Sequence, residues 1–307
     1  MTGRERVVLI AMCVVWGLHF AAVKVAFDEL APLTYVAARM TVVALVLSPF
    51  LRWRSGAMGP VLAGGVFLGF ANYALLFEGL KYAPVSAAAV AIELYTPFAA
   101  ILSVLVLRER IGLGRSLGVA TALAGALIVA LAGGGEGGGS RVALGVGLIA
   151  VGAAFEAVGA LTVKYARAFR PLELLAWFAL IGSIGLWPLA VLIDGDVIGR
   201  LARADLAVVG PSLLFSAFGA SIFGHTAYYW LLHRLPLSQV APGALLATAI
   251  AVAAGVFILR EPIGPQLIVG GAMIVAGVAV IMSTPAARTR NRRSVRRAAR
   301  RTQDALP

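Results

Sequence analysis

From Arg6 to Ser283 the chain is a succession of apolar stretches about 20 residues long, parted by only a few residues of turn chemistry. An α-helix rises about 1.5 Å per residue, so about 20 apolar residues span the ~30 Å hydrocarbon layer of a bilayer. Ten such stretches occur, near 6–26, 32–51, 58–80, 84–107, 114–132, 141–165, 171–193, 206–232, 236–259 and 264–283. The breaks are short: DELAP at 28–32, RWRSG at 52–56, the prolines Pro84, Pro171 and Pro236, and Gly112. With 61% hydrophobic residues and a mean hydropathy of +0.93, bilayer is the natural solvent. The expectation is an all-α integral membrane protein of ten transmembrane helices. The first stretch follows Arg4 and Arg6 but is too long for a cleaved leader and contains Trp16, His19 and Lys24, so it reads as a retained helix.

Charge is concentrated at the ends of the stretches. From Thr284 onward eight arginines stand against Asp304, so this tail supplies most of the net charge of +12. It reads as a solvated cytoplasmic extension of residues 284–307 attracted to anionic lipid, with no nucleic-acid-binding domain to support the other use of such a run. With the N-terminus in the cytoplasm, the arginines at 52, 54, 108, 110, 115, 167 and 170 also fall inside, while the acids Asp28, Glu29, Asp194, Asp196 and Asp205 fall outside. The bias predicts a multi-pass protein of the cell's inner membrane with both termini cytoplasmic.

LRERIG at 107–112 returns as LREPIG at 259–264. Aligned without a gap, residues 80–131 and 232–283 match at 17 of 52 positions, among them Pro84/Pro236, Ser86/Ser238, Thr96/Thr248, Gly118/Gly270 and Gly125/Gly277. A faint echo precedes it, VK at 23–24 and 163–164 and then a proline at 32 and 171. An internal duplication explains both: a first repeat over 7–132, the glycine-rich linker 133–140, and a second repeat over 141–283. Five is odd, so the second copy enters the membrane from the opposite side. Two inverted five-helix repeats are a recurring plan of secondary transporters, with the ligand between them near mid-membrane. The couplets Arg108-Glu109 and Arg260-Glu261 themselves read as polar punctuation of tight hairpins.

Ionisable groups at bilayer depth are costly and become candidates for function. His19 and Lys24 lie on the first stretch, Arg39 on the second, Asn72 on the third, Glu93 on the fourth, Glu156 on the sixth and His225 on the eighth. Each has a plainer reading. Lys24 can snorkel to the interface, Arg39 can pair with an acid such as Glu93, and both histidines can be hydrogen-bonded packing residues. Trp16 reads as packing or as a cavity wall; Tyr228, Tyr229 and Trp230 suit an aromatic belt as well as a stacking surface. The small residues Gly65/Gly69 and Ser212/Ser216/Ala220/Gly224, at four-residue spacing, let helices approach closely.

These features suit a secondary exporter in which Lys24 and Arg39 meet a carboxylate and Glu93, Glu156, His19 or His225 exchange protons. There is no GxxxxGK[ST] loop for nucleotide, no HExxH or GxSxG run for a lipid enzyme, and one cysteine, Cys13, so neither cofactor nor metal is expected. A channel would want a repeated filter phrase, and none is seen. The oligomeric state has no signature.

VVWGLHFAAVKVAFDELAPLTYVAARM at 14–40 and APGALLATAIAVAAGVFILREPIG at 241–264 resemble the openings and second halves of EamA-type proteins of the drug/metabolite transporter superfamily. The resemblance covers nearly all of 7–283. It implies ten helices in two inverted units around a central cavity, and export of small metabolites or drugs. On the WGLHF and VAPG runs the chain is most similar to exporters of cysteine and O-acetylserine. The arginine tail and Glu156 depart from that pattern.

Overall fold

The computed structural model describes residues 2–106, 112–131, 139–234 and 237–283, and the described residues are helix and turn. Ten long helices run in chain order: α1 (Gly3–Ala26), α2 (Pro32–Val46), α3 (Met58–Tyr82), α4 (Val85–Leu105), α5 (Leu113–Ala130), α6 (Gly139–Tyr165), α7 (Pro171–Ile193), α8 (Leu206–Arg234), α9 (Leu237–Phe257) and α10 (Pro265–Ser283). Eight stretches have the length and apolarity to cross a bilayer, and Pro32–Val46 and Leu246–Phe257 are shorter apolar helices. Large apolar side chains face outward along mid-helix, such as Leu127 at 62% and Ile184 at 66% exposure. In water that surface would be a severe liability; in lipid it is solvated.

Helix limits follow from local chemistry. Thr2 and Glu5 close a reciprocal capping box at the start of α1. Pro32 and Pro171 occupy the first turn of their helices, where a missing N–H costs nothing. The second stretch was expected to reach residue 51, but α2 stops at Val46 and a 3-10 turn, Ser48–Phe50, follows. Pro49 explains the early stop, because it can neither donate to the preceding turn nor avoid its carbonyl. A short helix not foreseen from the sequence, Val197–Arg203, lies between α7 and α8, capped by the Asp196 side chain on the Gly199 N–H at 2.9 Å. The Arg203 hydrogen bond to Asp196 holds that carboxyl below the usual carboxylate range.

The helix contacts display the duplication. α5 packs along α10, and a Cβ on Gly118 would come within 2.8 Å of the Gly277 carbonyl, one on Gly125 within 2.6 Å of the Gly270 carbonyl. In the repeat alignment Gly118 corresponds to Gly270 and Gly125 to Gly277. Each glycine therefore faces the counterpart of the other. That crosswise pattern is what a two-fold axis between antiparallel helices produces. The axis recurs elsewhere: α2 packs on α7, α3 on α6 as α8 does on α1, and α1 on α9 as α6 does on α4. α3 and α8 each contain a π-helical segment, Gly65–Ala71 and Phe215–Gly224, at corresponding depth. Gly69 and Gly182 bring the backbones of α3 and α7 into contact, as the small-residue spacing anticipates.

Candidate functional site

The polar centre lies where α1 and α2 meet the π segment of α8. Three contacts descend α8: Tyr35 to the Ser212 hydroxyl at 2.8 Å, His19 Nε2 to the Ser216 hydroxyl at 2.7 Å, and Arg39 to the Ser221 hydroxyl. Spacing by four and then by five reflects the π turn. In an uninterrupted α-helix Ala220 would share the face of Ser212 and Ser216, as the sequence stripe implied. The wider i→i+5 turn carries Ser221 round instead, and its hydroxyl donates to the Ser216 carbonyl at 3.2 Å. Ser216 and Ser221 were not singled out from sequence as binding groups, although hydroxyls within an apolar run were the available signal.

Arg39 is 2% exposed. Its Nε and Nη2 donate to Ser221 Oγ at 3.0 and 2.8 Å, and its guanidinium lies over Tyr73 and Phe77, 5.0 and 5.7 Å from the ring centroids. Nη1 is buried and makes no hydrogen bond. Among the described residues Arg39 has no carboxylate within ion-pair distance, whereas Arg54–Glu173, Lys81–Glu78 and Arg203–Asp196 do pair. The pairing with Glu93 considered from sequence is not formed. Glu93 instead accepts the Thr248 hydroxyl at 2.5 Å, joining α4 to α9. It sits in a 3-10 turn, Ile92–Leu94, because Pro97 has no N–H to offer the carbonyl four residues earlier. That turn packs against α6, the helix of Glu156, which is half-buried beside the stacked rings of Phe155 and Phe67.

Trp16 donates its indole N–H to the Ala220 carbonyl at 3.0 Å and packs against the rings of His225 and Tyr228, each 5.7 Å away. His225 Nδ1 lies 3.0 Å from the Ser221 carbonyl and 3.2 Å from that of Ala220. Carbonyls only accept, so Nδ1 carries the hydrogen. Asn72 is buried with Oδ1 unbonded, near Gly152 of α6. The side chain of Tyr229 lies outside the described residues.

Lys24 is placed elsewhere. Its ammonium donates to the carbonyls of Leu80 and Ala83 at the end of α3, which makes it a cap for that helix. Residues 108 and 109 lie outside the described residues, as do the linker from 132 to 138 and the tail from 284. The second couplet is described, and Glu261 is more than punctuation: its carboxylate accepts the N–H groups of Val85 and Ser86 at the start of α4.

Two related bundles with charged and hydroxyl groups buried between them make a multi-span membrane transporter fold. The chain belongs to the EamA-like transporter family, whose model matches residues 5–131 and again 143–283. It is 27% identical over 286 residues to the "probable amino-acid metabolite efflux pump" of Salmonella typhimurium strain LT2, covering 91% of this chain and 94% of that one. The Escherichia coli K12 protein of the same description is also 27% identical, over 289 residues, with 91% and 94% covered. A "probable terminal-alkyne amino-acid exporter" of Streptantibioticus cattleyicolor is 25% identical, with 89% and 91% covered. A solved crystal structure 19% identical in sequence shares the fold, with a TM-score of 0.61 over 91% of this chain and 96% of that one. The chain is thus a membrane metabolite transporter, and the lipid-enzyme alternative falls away.

Proposed function

We propose that this protein exports small amino-acid-like solutes by alternating access, driven by the proton motive force, and that Arg39 receives the solute carboxylate. One observation carries the reading: a guanidinium buried at membrane depth has no acid partner among the described residues and a free Nη1. A buried charge is costly unless an anion meets it. The Ser221 hydroxyl and two ring faces supply part of what water would. A carboxylate, which matches the planar fork of arginine, would supply the rest. The descriptions of the relatives from Salmonella, E. coli and Streptantibioticus support amino-acid-like cargo, and the WGLHF and VAPG runs favour solutes of the cysteine or O-acetylserine kind.

Arg39 and His19 are buried, at 2% and 8% exposure, so in this reading a solute reaches them when the packing around them opens. Inverted repeats provide two related arrangements for that. Glu93, with Glu156 facing its turn from α6, and the imidazoles of His19 and His225 are the groups we assign to proton exchange. The arginine bias puts both termini in the cytoplasm, the tail on anionic inner-leaflet lipid, and the turns at 28–32, 81–84, 193–205 and 259–264 outside.

The test is efflux from proteoliposomes loaded with a panel of amino acids and O-acetylserine under an imposed pH gradient. Efflux of a carboxylate-bearing solute should accelerate when protons can run inward. Flux indifferent to the gradient would remove the coupling, and equal flux of amino acids and their amides would remove the carboxylate site.

A further inference from the structure

Helix α2 turns two faces to the second repeat. Thr34 and Thr41, two turns apart, share the face toward α7, while Tyr35 and Arg39, one turn apart, share the next face round, toward α8. The α7 face is tied at three depths. At the outer end the Asp194 carboxylate, at the close of α7, accepts the Thr34 N–H at 2.7 Å and the Thr34 hydroxyl at 2.8 Å. Midway, the Thr41 hydroxyl donates to the Ala37 carbonyl at 2.8 Å. Its oxygen therefore accepts from both partners on α7, the Ser183 hydroxyl at 2.8 Å and the Trp187 indole at 2.9 Å. At the inner end Arg54, in the turn after α2, donates to both Glu173 oxygens at 2.9 Å and lies over the Phe169 ring, 4.8 Å from its centroid. The Trp177 indole adds a bond to the Arg52 carbonyl at 3.2 Å. Pro32 and Pro171 correspond in the duplication, so Thr34 and Glu173, each two residues on, are equivalent positions. Each is held by a group at or beyond the C-terminal end of the other helix, so the two end ties obey the same two-fold axis.

We propose that α2 and α7 stay joined throughout the transport cycle as one spine drawn from both repeats. The solute then comes to a stationary Arg39, and access is switched by the helices around the spine, not by the two repeats parting as blocks. Parting at the outer face would strip Asp194 from Thr34, and parting at the inner face would strip Arg54 from Glu173. A block motion thus breaks a charge-assisted tie whichever face it opens. Midway it would strand the Ser183 hydroxyl and the Trp187 N–H at bilayer depth, where no water replaces the lost partner. Thr34, Thr41, Ser183 and Asp194, with the Arg54–Glu173 pair, are in this sense positioning residues for Arg39. The ties stand without the export reading; only their use in the cycle rests on alternating access.

Thr41→Cys with Ser183→Cys, in a Cys13→Ala background, puts thiols where hydroxyls stand 2.8 Å apart, within a small adjustment of a disulfide bond of about 2.05 Å. Thr34→Cys with Asp194→Cys does the same at the outer end. Efflux of O-acetylserine and the amino-acid panel from proteoliposomes is compared before and after oxidation, with remaining thiols counted by maleimide labelling. Each cross-linked protein should keep at least half the rate of its reduced form. A tenfold loss in either, restored by reduction, would overturn the spine. Because a cysteine pair can impair folding, spin labels at Leu45→Cys on α2 and Ile184→Cys on α7, exposed at 68% and 66%, read the same interface with every tie intact. Pulsed EPR in nanodiscs should give one distance distribution, the same at pH 8 and pH 5 and with or without O-acetylserine. A second population that grows with solute or acid would overturn it. Counterflow missing from reduced and wild-type protein alike would remove alternating access and leave the spine to be judged by the labels.

Discussion

Arg39 hangs Nε and Nη2 on one oxygen, the hydroxyl of Ser221, at 3.0 and 2.8 Å. The π turn of α8 is what makes that meeting possible. Ser221→Ala would leave the guanidinium with aromatic faces alone, a loss of about 1–3 kcal/mol for a buried donor left unsatisfied. We expect a lower melting temperature in detergent and weakened transport, both partly recovered by Ser221→Thr. An unchanged melting curve for Ser221→Ala would mean that this bond holds little.

The crossed glycines of α5 and α10 predict equal damage from either side of one contact. Gly125→Ala and Gly270→Ala each push a Cβ to about 2.6 Å from the facing carbonyl. Each should destabilise the protein by about 1–3 kcal/mol, the range for overpacking a tight interface, and the double variant should cost less than their sum. Gly147→Ala, with nothing within 4 Å, is the control and should be silent in a thermal or denaturant unfolding series.

Inverted halves put corresponding turns on opposite faces. Cysteines at Gly112 and Gly264 should react with a membrane-impermeant maleimide from opposite sides of sealed vesicles, Gly112→Cys from the cytoplasmic side. Labelling from one shared side would break the inverted topology.

The proposed coupling assigns proton exchange to Glu93 and Glu156 together with His19 and His225, and the two carboxylates are the simplest to neutralise. Glu93→Gln and Glu156→Gln should lose acceleration by a pH gradient while retaining solute exchange at equal pH, measured as counterflow. Thr248→Val isolates the hydrogen bond from the charge and should slow both modes. If the double Gln variant keeps full gradient-driven flux, proton exchange belongs to other groups.

Much of this architecture is legible in the residues. The ten apolar stretches, their breaks at Pro32, Pro84 and Pro171, and the Gly118/Gly270 and Gly125/Gly277 correspondence all follow from patterns a few residues wide. What escapes such patterns is rotation about a helix axis. The π turn moves Ser221 into the place that α-spacing assigns to Ala220, and Pro97 sets the turn that aims Glu93 at Thr248. Partners brought together across the two halves escape as well: the Glu261 grip on Val85 spans the repeats, and Lys24 becomes a cap only once α3 ends beside it. Arg39 is visible as an anomaly in the sequence, whereas its lack of an acid partner among the described residues is visible only in three dimensions.

Arg39 as the carboxylate receptor is tested most directly by counterflow in proteoliposomes, with each amino acid compared with its amide in the wild type and in Arg39→Gln. The account predicts that the wild type prefers the free acid by at least tenfold, that Arg39→Gln erases this preference, and that Arg39→Lys restores it in part. A preference for the acid of the same size in Arg39→Gln would contradict it.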